Sequence, residues 1–61
     1  FQDVLIVAMK KEQKSYNFYV GMAKSADSAD LKKICKVLAQ EELKHKHKLE
    51  LYYDDIVFKE D

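Results

Sequence analysis

Proline is absent from this chain and glycine occurs once, at Gly21, so the turn-rich patterns of β-sandwiches, barrels and disordered linkers have no support. What remains is an all-α chain. Cysteine also occurs once, at Cys35, which rules out an intrachain disulfide and makes a reducing, cytoplasmic setting the expected one. There is no excess of charge, since 11 basic and 11 acidic side chains cancel. The electrostatic footprint of a nucleic-acid or anionic-membrane partner is therefore missing. No apolar run approaches the roughly 18 residues of a membrane span, and nothing resembles a signal peptide. The first residue is Phe1 rather than methionine, so the chain is read as a piece of a longer protein.

What the sequence has in quantity is apolar residues, 48% of the total, arranged with helical spacing. Leu5, Met9, Glu12, Tyr16, Tyr19 and Ala23 recur at alternating steps of four and three, which is one face of a helix. Leu31, Cys35, Leu38, Glu42, His45, Leu49, Tyr52 and Ile56 do the same. The pattern predicts helices over about 2–24 and about 29–57, joined by a loop at about 25–28. Asp27 or Ser28 supplies the oxygen that caps the second helix. Gly21 costs about 1 kcal/mol relative to alanine inside a helix, so it marks either fraying or a close backbone approach. Asp54, Asp55, Glu60 and Asp61 set negative charge against the macrodipole at the end of the second helix, making its last turn the weakest.

The two stripes also register against each other. If the chain folds back near Asp27, residues at one height have numbers summing to about 54, which pairs Leu5 with Leu49, Met9 with His45, Glu12 with Glu42, Tyr16 with Leu38, Tyr19 with Cys35 and Ala23 with Leu31. Seam meets seam throughout, as an antiparallel hairpin requires. Ile56, Val57 and Phe58 then overhang the first helix. Two helices cannot cover each other's apolar faces, and a chain this short buries only about 60% of the surface it exposes when unfolded. A partner is expected.

Three seam positions, Glu12, Glu42 and His45, are polar and fall at one level. Two carboxylates facing each other between apolar layers need compensating charge, and a divalent metal supplies it. Glu42 and His45 are three apart, so they lie on one face within reach of a common ion. Carboxylate with imidazole suits iron, manganese or zinc better than a soft ion. Di-iron and di-manganese helix bundles use one Glu from each of two helices and Glu-x-x-His from each of the other two. One hairpin here carries half of that set.

The segments Ala8-Met9-Lys10-Lys11-Glu12-Gln13-Lys14-Ser15-Tyr16-Asn17-Phe18-Tyr19 and Leu38-Ala39-Gln40-Glu41-Glu42-Leu43-Lys44-His45-Lys46-His47-Lys48-Leu49 resemble a half-repeat of the rubrerythrin family. The resemblance rests on Glu12 preceding Tyr19 by seven positions and on Glu42-x-x-His45, and it covers nearly the whole chain. It implies half of a ferritin-like four-helix bundle around a di-iron centre, with Glu12, Glu42 and His45 as metal ligands, and names no catalytic group beyond them. Manganese or zinc are possible substitutes for iron. The second hairpin would come from the same longer chain or from a homodimer mate. The implied chemistry is reaction with peroxide or dioxygen, as a peroxidase or ferroxidase, with a separate electron donor. Two departures stand out: Ser15 occupies the place where rubrerythrins carry an additional carboxylate in one half, and Cys35 alone cannot form the family's iron–sulfur domain.

Plainer roles cover the remaining residues. Tyr16 and Tyr19 are expected chiefly to pack, with hydrogen bonding to a metal ligand as a subsidiary role. Cys35 reads as a small buried hydrophobe, His47 as a surface residue, and Lys44, Lys46 and Lys48 as a solvated face. The competing function is a helical dimerisation module without metal chemistry, in which the three polar seam residues only fix register or are solvated.

Overall fold

The computed structural model describes residues 1–59 and has two helices, α1 (Gln2–Ser25) and α2 (Ala29–Lys59). They fold back on each other as an antiparallel hairpin, a rod of 51 × 14 × 11 Å. The all-α hairpin is thus the observed architecture. Asp54 and Asp55 lie within α2, while Glu60 and Asp61 fall outside the described residues.

The turn is built from three residues with none at positive φ among those described. Ala26 leaves the helix with φ −70° and ψ 137°. The Ser25 hydroxyl donates back to the carbonyls of Gly21 and Met22, at 3.3 and 3.4 Å, so its side chain is tied to the last turn of α1. On the other side, the Ser28 hydroxyl oxygen accepts the Leu31 N–H at 3.0 Å while its carbonyl accepts the Lys32 N–H at 3.1 Å. Of the two candidate caps, Ser28 makes the bond. Gly21 neither frays the helix nor admits a close neighbour: α1 runs through it, and an added Cβ would meet nothing within 4 Å.

The buried apolar residues are Leu5, Ala23, Cys35 and Ala39. On α1 the expected stripe holds, since Leu5, Met9, Glu12, Tyr16, Tyr19 and Ala23 are all buried or half-buried. On α2 the seam is rotated from the expected one. Cys35 and Ala39 are 2% and 3% exposed, whereas Leu31, Leu38 and Tyr52 are 42%, 38% and 52% exposed. The contact face runs through Cys35, Ala39, Glu42, Lys46, Leu49, Tyr53 and Ile56, which also alternate by four and three. Small side chains at Ala23, Cys35 and Ala39 let the backbones approach, and the bulkier Leu38 and Tyr52 are left to one flank. The expected overhang of Ile56 is not found either, because Ile56 lines the same crevice as Phe1, Gln2 and Asp3. The rotated seam brings higher-numbered α2 residues level with α1.

Two substitutions with opposite signs test the turn and the helix interior. Replacing Ser28 by Ala removes the cap and should lower stability by about 1 kcal/mol. Replacing Gly21 by Ala fills open space on an intact helix and should raise it by up to about 1 kcal/mol. Urea unfolding of the assembled protein reads both, and shifts of the same sign would contradict this account of the local backbone.

Candidate metal centre

Glu12 projects from the middle of α1 toward α2, where Glu42 occupies the seam and His45 stands one turn further along its edge. One donor atom from each of the three lies within 4.8 Å of the others. The rotation of α2 leaves the His45 side chain 57% exposed, against 23% for Glu12, but does not separate them. His45 Nδ1 sits 3.7 Å from Glu12 Oε2, an ion-pair distance if the ring is protonated and too long for a hydrogen bond. Met9, expected opposite His45, has given that level to Glu12.

Glu12 Oε2 is buried and has no hydrogen-bond partner. A carboxylate oxygen shut away from water without a donor is destabilising unless something positive approaches it. The second carboxyl bears the mark of the same crowding. Hydrogen bonding with Glu12 holds the Glu42 carboxyl above its ordinary pKa, desolvation and repulsion from the Glu12 charge add to the rise, and His45 opposes it. Two oxygens and an imidazole nitrogen, one oxygen lacking any partner, fit a divalent cation of the iron, manganese or zinc type. Donors about 2.1 Å from one ion lie at most about 4.2 Å apart, so at the 4.8 Å limit the side chains need close by only a fraction of an ångström.

Tyr16 and Tyr19 are half-buried near this layer, and among the described residues neither phenol hydrogen-bonds to Glu12, Glu42 or His45. Tyr19 packs edge-on against Phe18, with ring centroids 5.5 Å apart. Tyr16 lines an open groove of about 470 Å³ with Val20, Ala23, Lys36 and Ala39, on the flank of the seam away from His45. Cys35 is free and buried, as a small hydrophobe would be. His47 is exposed, 4.0 Å from Glu50, and Lys44 pairs with Glu41 at 3.3 Å on the surface.

Lys46 departs from the expected solvated row. It is half-buried at the seam, and its ammonium donates to Gln13 Oε1 at 2.7 Å. The Gln13 amide nitrogen in turn donates to Asn17 Oδ1 at 3.0 Å. Neither Gln13 nor Lys46 was marked by residue type. The available signal was positional, because Lys46 belongs to the alternation through Ala39, Glu42 and Leu49.

A family model described as Rubrerythrin matches residues 3–61. The chain belongs to the rubrerythrin family. No curated protein and no solved structure matches it. Among the described residues, no helix of this rubrerythrin-family chain is long and apolar enough to cross a membrane. The family model spans both helices that carry Glu12, Glu42 and His45.

The raised Glu42 pKa has a measurable sign. A carboxyl that binds its proton more tightly when folded stabilises the fold fully below its unfolded pKa and loses that contribution as pH rises through the folded value. In metal-free protein, wild type should therefore lose stability relative to Glu42→Gln between about pH 4 and neutrality. Thermal melts of the two proteins across that range read the difference. A constant gap would mean that Glu42 and Glu12 are not coupled.

Proposed function

We propose that this hairpin supplies half of a di-iron carboxylate centre, with Glu12, Glu42 and His45 as its ligands and a second hairpin completing a four-helix bundle. The observation that carries the reading is the convergence of three donor atoms from two helices around a buried, unpartnered carboxylate oxygen, in a rubrerythrin-family chain. Glu12 and Glu42 contribute negative charge from opposite helices, and His45 contributes a nitrogen from the edge of the seam. Two such halves bring four carboxylates and two imidazoles, and the four negative charges balance two ferrous ions. The residues that would exclude water are those exposed on the same flank of α2 as His45, namely Leu31, Ile34, Leu38 and Tyr52. When bound, the iron supplies the redox chemistry with peroxide or dioxygen, as peroxidase or ferroxidase, and manganese or zinc are possible occupants. Cys35 alone cannot hold the family's iron–sulfur domain, so electrons come from a module elsewhere in a longer protein or from a separate donor.

The second hairpin is contributed by the same longer chain or by a homodimer mate. The 61-residue chain alone should form a symmetric dimer or fail to fold cooperatively, and a stable monomer in sedimentation would remove the need for a partner. The metal reading is tested by thermal melts of the complete bundle under anaerobic conditions. Ferrous ion should raise the melting temperature and chelation lower it, because a ligand that binds only the folded state stabilises it by mass action. Glu42→Leu should abolish this dependence while keeping or improving metal-free stability, and His45→Ala should weaken it. If ferrous ion shifts wild type and Glu42→Leu equally, or shifts neither, the helical dimerisation module becomes the better reading.

A further inference from the structure

We propose that Gln13 and Lys46 form a register clasp that holds Glu12 level with Glu42 and His45. The proposal rests on the metal-site reading above and adds positioning residues to it. The need for a clasp follows from the seam itself. On the turn side of the ligand layer Ala23, Cys35 and Ala39 are small and offer little interdigitation to keep one helix from sliding past the other. A slip of one turn is about 5.4 Å, more than the whole 4.8 Å span of the donor cluster.

Gln13 directly follows Glu12, and Lys46 directly follows His45. Fixing the first pair across the seam therefore fixes the second through a single rigid peptide link on each helix. The clasp lies on the flank of the seam opposite His45, so the layer is held from both sides. Its chemistry admits one arrangement. The Lys46 ammonium only donates, so the Gln13 carbonyl oxygen must face it, and the Gln13 NH₂ is then aimed at Asn17 Oδ1, where it is found at 3.0 Å. A polar contact in a half-buried position loses its partner in any other register, which is how a single polar residue selects among packings of an otherwise permissive seam. The lysine stem packs along the seam while its tip reaches the edge.

The test is a double-mutant cycle on manganous-ion affinity in the assembled protein, well below the melting temperature, together with crystal structures of the metal-free proteins. Gln13→Leu and Lys46→Met should each weaken binding by about 10- to 100-fold. The double variant should be no worse than either single one, because both remove the same tie. Lys46→Arg, which can still donate to Gln13, should retain affinity. In the metal-free crystal structure of Gln13→Leu, Glu12 should be displaced along α1 relative to Glu42. Single variants that bind as wild type does, losses that add in the double variant, or a Gln13→Leu structure that superposes on wild type would each overturn the clasp. If wild type binds no manganous ion, the metal reading fails separately, and the metal-free structures alone decide whether Gln13 and Lys46 set the register.

Discussion

Glu12 carries a carboxylate oxygen that no hydrogen-bond donor satisfies, set between two helices at the middle of their contact. A pair of packed helices tolerates such a group only when its surroundings answer it, and here each neighbouring feature does so partially. Glu42 answers by holding its own proton more tightly, and His45 by bringing a basic ring to within 3.7 Å. Neither neutralises the layer. The hairpin taken alone is therefore electrostatically incomplete at Glu12 and leaves an apolar flank uncovered, and the proposed cation and second hairpin would answer the two together.

Much of this was legible in the sequence because helical spacing reports faces directly. The α1 stripe, the turn, the Ser28 cap among its two candidates, and the burial of Cys35 all followed from residue type and period. The rotation of α2 did not. That helix contains two alternations of four and three that share Cys35, Glu42, Leu49 and Ile56 and differ only in whether Leu38, His45 and Tyr52 or Ala39, Lys46 and Tyr53 fill the remaining places. Hydrophobicity favours the first set, since it offers Leu38 where the second offers Ala39 and His45 where the second offers Lys46. Close approach of the backbones favours the second, since Ala39 beside Cys35 costs less separation than Leu38. Periodicity alone does not weigh these terms, and Lys46 became visible as a seam residue only from its contact with Gln13.

The shared positions explain why Glu12, Glu42 and His45 still converge with α2 rotated. Glu42 belongs to both alternations, so a rotation by a fraction of a turn leaves it in the seam. His45 moves from the seam to its edge, yet an imidazole is long enough to reach back to Glu12. The spatial cluster of Glu12, Glu42 and His45 forms whichever of the two stripes faces α1.

Phe1 and Ile56 line one crevice, so the first turn of α1 and the last turn of α2 lie at the same pole of a rod 51 Å long. The turn at the opposite pole uses three residues and no special backbone conformation among those described. Topologically the unit behaves as a cassette: it can be joined to neighbours at one end without rerouting the chain past the ligand layer. Copying such a cassette, in tandem or by pairing two molecules, duplicates the layer intact, and a twofold axis then needs no new ligand to be invented.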